Sequence, residues 1–405
     1  MPYKTPIGVM DGDNFYVSCE RVFRPSLKGK PVVVLSNNDG CVIARSEEAK
    51  ELGIPMGAPF FTVREILHSH GGVALSANFP LYGDISRRFF SIAKEVAETV
   101  EIYSVDEGFF TAPEGEDIEK VARTIQERVK RWVGIPLSIG IGSTRTLAKR
   151  AVKKAKKTGE IVSYLHLPEE EKETPVEEIW GIHKGRGAIL RKNGVTTIGD
   201  LLKTPSRTIR KWIGIEGVRI QQELLGIPCL TEPPQERKTI LFSRTLPEPL
   251  KDRDRLERIV LHFTYRATMR LLSLGRVAGI VGVSLSSRKG TLWKYTSLDP
   301  PSAFPQETLK RALSLFSSLY EEEELYKRVG VGFFLLYPSY PAPLSLFHSR
   351  PTSYEKVTEV VEKLTKRFGM EKIRIGCPTV EEGLSLGRYR TPAYTTRWED
   401  LPVVW

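Results

Sequence analysis

Cysteine is scarce and scattered: the four residues, Cys19, Cys41, Cys229 and Cys377, stand far apart and in no CxxC or Cys/His spacing. That argues against a disulfide scaffold or a zinc site and reads as reduced, intracellular thiols. Long apolar runs are missing too, so no segment is expected to span a bilayer. The opening residues, MPYKTPIGVMDGD, reach acid before an apolar signal segment can form. No secretory signal is therefore expected, and the chain is expected to work in the cytoplasm or on the nucleoid. Internal repeats are absent. Acid is outnumbered by base, 49 Asp and Glu against 60 Lys and Arg, for a net charge of +11. Such an excess suits a polyphosphate partner, because each neutralised phosphate releases counterions. A merely basic protein with no such partner is the plain alternative.

What is present is enough apolar material for real cores. With 405 residues and 40% hydrophobic content, roughly two to four domains are expected. An α+β multidomain layout follows from the order of the segments. Ile7–Met10 and Pro31–Leu35 read as strands, and Ala44–Leu52 as a short helix stopped by Gly53. A longer helix is expected over Asp84–Val100, with Ile85, Phe89, Ile92, Ala93 and Val96 at helical spacing. Next come a strand at Glu101–Val105, apolar Gly108–Phe110, a helix at Asp117–Val133, a strand at Leu137–Gly142 and a basic helix at Thr146–Lys157. Pro168–Glu178 reads as a connector, Trp180–Gly226 as short helices punctuated by glycine, and Pro233–Lys238 as a linker. From Thr239 to Tyr337 the order is β-α-β-β-α-β, a separate small domain with one open sheet face. The tail after Pro338 reads as irregular.

Three carboxylates, Asp11, Asp106 and Glu107, each end an apolar strand. A pair of divalent ions needs shared carboxylates on a rigid scaffold, where it activates an attacking oxygen and steadies a leaving one in phosphoryl transfer. Adjacent strand residues face opposite ways, so Glu107 joins Asp106 only if the backbone bends, which Gly108 would ease. The bland reading is a turn at Asp11 and Asp13 and a solvated strand end at Asp106–Glu107; for any single carboxylate it wins. Asn14, Phe15 and Tyr16 follow directly, and a helix starting there would offer free amides to a phosphate. Tyr16 would sit near the metals, where a flat ring bars a ribose 2′-hydroxyl; ordinary core packing is the alternative for both aromatics. Arg45, Lys50 and Lys156 are cations on helix faces, suited to a triphosphate or simply solvated. Gly181, His183, Lys184 and Gly185 resemble a helix-hairpin-helix turn whose amides grip a DNA backbone. His68 and His70 read as surface residues.

Longer blocks carry a resemblance. DGDNFYVSCERVFRPSLKGKPVVVLSNNDGCVIARSEEAKELGIPMGAP resembles the N-terminal block of Y-family DNA polymerases, and SNNDGCVIARSEEAK resembles the UmuC subfamily, the catalytic-subunit type of bacterial polymerase V. FPLYGDISRRFFSI, EIYSVDEGFF, LSIGIGSTRTLAKRAVKKAKKTG and YTTRWEDLPVV follow in the same order, so the resemblance covers essentially the whole chain.

The resemblance implies a right-hand polymerase: a ferredoxin-like palm (1–23 and 74–167), small fingers (24–73), a helical thumb with the helix-hairpin-helix (168–232), a linker (233–239), a little finger (240–337) and a tail (338–405). It implies error-prone translesion synthesis, nucleotidyl transfer from dNTP to a primer 3′-hydroxyl with two Mg²⁺ ions, in an SOS-type damage response. Asp11, Asp106 and Glu107 become the metal ligands with the Gly12 carbonyl, and Tyr16 becomes the steric gate. Asn14, Phe15, Arg45, Lys50 and Lys156 become triphosphate contacts, Lys50 standing where many members carry Arg. Implied partners are primer-template DNA, a UmuD-like dimer, a recombinase filament and a sliding clamp, the last through Pro343–Phe347, which has Pro where clamp motifs prefer Gln. The rivals are a nucleotide cyclase, which needs no residues from Pro168 to Tyr337, and a catalytically inactive DNA-binding accessory protein of the same ancestry. Loss of one of the three carboxylates would favour the second; all three are present.

Overall fold

The computed structural model describes residues 6–230, 238–339, 352–368, 375 and 387–401. It divides into two compact units, the first reaching Pro233 and resuming at Gly387, the second running from Pro234 to Leu386.

The first unit begins with β1 (Ile7–Gly12) and α1 (Phe15–Phe23). An appended subdomain holds β2 (Val32–Leu35), β3 (Val42–Arg45), α2 (Glu47–Glu51), α3 (Phe60–Ser69) and β4 (Val73–Ser76). Strand β2 is central there, antiparallel to β3 and parallel to β4. The expected helix over Ala44–Leu52 is therefore corrected. Ala44 and Arg45 belong to β3, where Ala44 pairs with Val34. The helix begins only after Ser46, whose hydroxyl accepts from the Ala49 amide and so caps it.

The chain continues with α4 (Phe79–Val96), β5 (Thr99–Ile102), β6 (Glu107–Thr111), α5 (Ile118–Trp132), β7 (Leu137–Gly142), α6 (Arg145–Thr158) and β8 (Val162–Tyr164). Helix α4 starts five residues before the expected Asp84, with Pro80 in its first turn, and stops at Val96 because Thr99 and Val100 pair with β6 instead. The sheet order is β5-β6-β1-β7-β8, so β1 lies at the centre. Period-2 alternation gives it two dry faces. Met10, Phe110, Ile139 and Ile141 meet the core built with α1, α4 and α5. Ile7, Val9 and Phe109 meet Ala148 and Val152 of α6. That second helix lies close because β7 presents glycine to it: a Cβ on Gly140 would stand 2.0 Å from the Val152 amide nitrogen, and one on Gly142 2.3 Å from that of Ala148.

Next come α7 (Lys184–Lys192), α8 (Ile198–Lys203) and α9 (Ser206–Leu224), packed on one small core of Val176, Leu190, Ile198 and Ile209. A capping box closes the start of α8, Thr197 accepting from the Asp200 amide and the Asp200 carboxylate from that of Thr197.

The second unit has β9 (Thr239–Leu250), α10 (Arg253–Ser273), β10 (Arg276–Ser287), β11 (Gly290–Ser302), α11 (Pro305–Leu319) and β12 (Tyr326–Pro338). The β-α-β-β-α-β order is as expected. The strands form an antiparallel sheet, β11-β10-β12-β9. Helices α10 and α11 cover one face through Val281, Val283, Val331 and Phe333. The other face carries Trp293, Tyr295 and Phe334 among Gly282, Gly330 and Gly332. The segment after Pro338, read as irregular, contains a further helix, α12 (Thr352–Phe368), whose Val361 packs on Tyr265 and Met269 of α10. Pro343–Phe347 lies outside the described residues. Among the described residues no helix is long and apolar enough to cross a membrane.

Candidate active site

Strand register brings the three carboxylates together. Asp11, near the end of β1, sits directly opposite Glu107 on β6, and its other neighbour is Ser138 on β7. Asp106 precedes β6, and its carbonyl accepts from the Gly12 amide at 2.9 Å. The lateral partner of Asp11 is thus Glu107 rather than Asp106. The backbone bends over residues 104–106, immediately before β6, and Gly108 has a packing role next to that bend. A Cβ on Gly108 would stand 2.7 Å from the Phe90 ring and 2.9 Å from the Glu101 carbonyl.

Two lysines of α6 answer the acids. Lys156 Nζ lies 2.7 Å from Asp11 Oδ1, and Lys149 pairs with Glu107. Lys149 also lies over the rings of Tyr103, 4.6 Å from its centroid, and Trp180, 5.2 Å. The Asp106 carboxylate accepts from the Ser104 hydroxyl at 2.5 Å. Burial pushes the Asp11 carboxyl up to about 6; Lys156 pulls against this, and the charges of Glu107 and Asp106 add to the rise. Among the described residues no three His, Cys, Asp or Glu side chains already stand as a metal cage. The lysines hold Asp11 and Glu107 instead. The donor set still fits a hard divalent cation: oxygen ligands only, three carboxylates on neighbouring strand ends.

Asp13 ties the loop down. Its carboxylate accepts from the Ser138 hydroxyl at 2.8 and 3.0 Å, and its amide donates to the Pro136 carbonyl. Asn14 caps α1 in the left-handed region, φ 48°, so the helix starts at Phe15 beside the carboxylates. Phe15 is buried and Tyr16 half-buried, its ring stacked on Tyr82. Burial, and after it the nearby charge of Asp106, raises the Tyr16 hydroxyl. Lys50 pairs with Glu47 at 2.7 Å. Arg45 donates to the Ile54 carbonyl, which occupies one arm of its guanidinium. Gly181 has φ 90°, and exposed His183, Lys184 and Gly185 form the start of α7.

Lys149 was missed by sequence reasoning. It lies seven residues before Lys156 on the same helical face, where both interrupt the buried run Ala148, Val152 and Ala155. That spacing was the available signal.

Comparison with solved structures gives the class. A Y-family DNA polymerase chimera superposes with a TM-score of 0.68 at 21% identity, over 82% of this chain and 99% of that one. An insertion ternary complex of Dbh DNA polymerase gives 0.57 over the same shares at 21% identity. The fold is that of a Y-family DNA polymerase.

Sequence comparison narrows it. The impB/mucB/samB family model matches residues 10–153 and its C-terminal domain model residues 237–346, while a domain of unknown function matches 355–404. Protein UmuC of Salmonella typhimurium is 31% identical over 96% of this chain and 98% of its own length. DNA polymerase IV 1 of Bacillus subtilis is 27% identical over 92% and 93%. The chain belongs to the impB/mucB/samB family, the UmuC type of Y-family polymerase.

Proposed function

We propose that the chain copies DNA past damaged template bases, joining a dNTP to a primer 3′-hydroxyl. The observation that carries this is the meeting of Asp11, Asp106 and Glu107 at the ends of β1 and β6 on a Y-family fold. Asp11, Asp106, Glu107 and the Gly12 carbonyl would hold two Mg²⁺ ions, which supply Lewis-acid stabilisation to the attacking and leaving oxygens. Lys156 and Lys50 hold triphosphate oxygens, and the first amides of α1, at Asn14 and Phe15, add uncharged donors. Arg45 contributes the rest of its guanidinium. Tyr16 bars a ribose 2′-hydroxyl. The exposed amides of His183, Lys184 and Gly185 grip a DNA phosphate.

In this reading residues 1–23 and 74–167 are palm, 24–73 fingers, 168–232 thumb and 240–337 little finger. Its open face, with Trp293 and Tyr295, lies on duplex DNA. The protein acts in the cytoplasm during a damage response, with a UmuD-like dimer, a recombinase filament and the sliding clamp as partners.

Primer extension by the purified chain on undamaged and abasic templates tests the reading, with Asp106→Ala beside it. Extension that disappears in the variant supports it. If the variant extends as well as the parent, the three-carboxylate site is wrong. Wild-type protein inert even with a UmuD-like dimer, clamp and recombinase filament leaves the inactive accessory protein.

A further inference from the structure

The chain returns at Gly387 to the first unit, and what it touches there leads to Tyr16. Tyr389 exchanges two hydrogen bonds with Ser76 at the end of β4, its carbonyl accepting at 3.1 Å and its amide donating to Oγ at 2.9 Å. Tyr394 stacks on Phe23 of α1, centroids 4.8 Å apart and planes 5° off parallel. Between these anchors Thr391 is buried, and its hydroxyl donates to Glu20 Oε1 at 3.2 Å. The Tyr82 hydroxyl donates to the same oxygen at 2.7 Å, and the Tyr82 ring carries Tyr16, 4.4 Å away and 14° from parallel. Tyr16, Glu20 and Phe23 occupy positions i, i+4 and i+7 of α1, one continuous face.

Asn78 shows that this contact is favoured over a local one. It is the N-cap of α4, a place where Asn normally accepts from its own helix, yet its side chain makes no cap bond. Its amide donates instead to Thr391 Oγ1 at 3.0 Å and to the carbonyls of Thr391 and Pro392 at 3.3 and 3.0 Å. Asn78, Tyr82 and Glu20 are all fully buried, where a hydrogen-bonded network fixes its members in one arrangement.

We infer that Thr391, Glu20 and Tyr82 are positioning residues for sugar selection, setting the ring of Tyr16 from the C-terminal segment 387–401. This rests on the reading of Tyr16 as the steric gate. The Tyr82 hydroxyl fixes the height and tilt of its own ring, and the stacked Tyr16 ring follows. Thr391 and Tyr82 share one acceptor, so losing either donor frees the carboxylate to turn and loosens the stack. The C-terminal segment thereby acts on the choice between dNTP and rNTP without touching the nucleotide.

The test is single-nucleotide insertion by the full chain, comparing kcat/KM for dCTP and rCTP opposite guanine. Tyr82→Phe keeps the stacked ring and removes the hydroxyl; Thr391→Val keeps the shape and removes the other donor. Each is expected to raise relative rCTP use about tenfold, the equivalent of one hydrogen bond, through a lower KM for rCTP with kcat for dCTP retained. Thr391→Ser is expected to restore discrimination, which a purely structural role would not require. Tyr16→Ala is the reference. If it abolishes discrimination while Tyr82→Phe and Thr391→Val discriminate as the parent does, the inference falls and the gate stands. If Tyr16→Ala discriminates as the parent does, the gate reading falls and takes the inference with it. Should Thr391→Val fail to fold, Tyr82→Phe alone decides.

Discussion

Lys156 reaches from the last turn of α6 to within 2.7 Å of Asp11, at the end of the central strand β1. The pair joins a cation suited to phosphate with a carboxylate suited to metal. In the proposed reaction Lys156 would serve the triphosphate and Asp11 a metal ion; in the free protein each offsets the charge of the other. Helix α6 can place it there because Gly140 and Gly142 let the helix backbone approach β7.

Lys156→Ala is expected to lower kcat/KM for dNTP insertion by about 10- to 100-fold, the worth of one charge-assisted hydrogen bond. Most of the loss should lie in KM, since the ground-state triphosphate already uses the contact. Steady-state insertion kinetics would show it, and an unchanged KM would remove Lys156 from the nucleotide site.

Gly140→Ala and Gly83→Ala should act in opposite directions. A Cβ at Gly140 meets helix backbone at 2.0 and 2.5 Å, and backbone cannot move aside as a side-chain tip can. We expect a loss of about 3 kcal/mol from this overpacking. At Gly83, inside α4, nothing lies within 4 Å of the added methyl, so Ala should gain about 0.5–1 kcal/mol by stiffening the unfolded chain. Urea melts of both variants check the pair. A tolerated Gly140→Ala would mean that α6 and β7 are not in the close contact described.

How far the sequence could be read follows from how local each signal was. Leu137–Gly142 was legible to the residue, because an alternating run bounded by Pro136 and Ser143 leaves little choice. Asp11, Asp106 and Glu107 stood out as acids closing apolar strands, but which pair would face each other depended on a register that no local pattern states. Ala44 and Arg45 were misread because the following SEEAK favours helix and its pull was extended backwards past Ser46, the actual cap. The bond from Thr391 to Glu20 spans 371 positions, and nothing near either residue announces it.

Glu20 gives a prediction in pH. Burial raises its carboxyl above the usual range, against the pull of the Tyr82 and Thr391 hydroxyls. A raised folded-state value means that the folded protein keeps a proton the unfolded chain has lost. Stability from this group is therefore present below about 4.5 and declines as pH rises from there through the folded value. Glu20→Gln cannot ionise, so its melting temperature relative to the parent should climb between pH 4.5 and 7. Parallel melting curves for the two proteins would show no such divergence if Glu20 ionises as freely in the folded chain as in the unfolded one.

Arg328 tests the open face of the second unit. On β12 it points to the same side as Gly330, Gly332 and Phe334, is exposed, and donates to the Ser243 hydroxyl of β9 at 2.8 Å. Across the sheet Trp293 and Tyr295 stack 5.6 Å apart, in the rows of Gly330 and Gly332, and Arg328 lies beyond them toward the start of β12. A partly aromatic face that carries an exposed cation suits the backbone of a duplex rather than base edges. Arg328→Ala should then weaken primer-template binding alike for all sequences and reduce the slope of log K against log salt by about 0.9, one phosphate contact. The hydrogen bond to Ser243 is exposed, so the melting temperature should hardly move. Fluorescence anisotropy across a salt series separates the outcomes. An unchanged slope would mean that Arg328 meets no phosphate, and a loss confined to particular sequences would mean that this face reads bases.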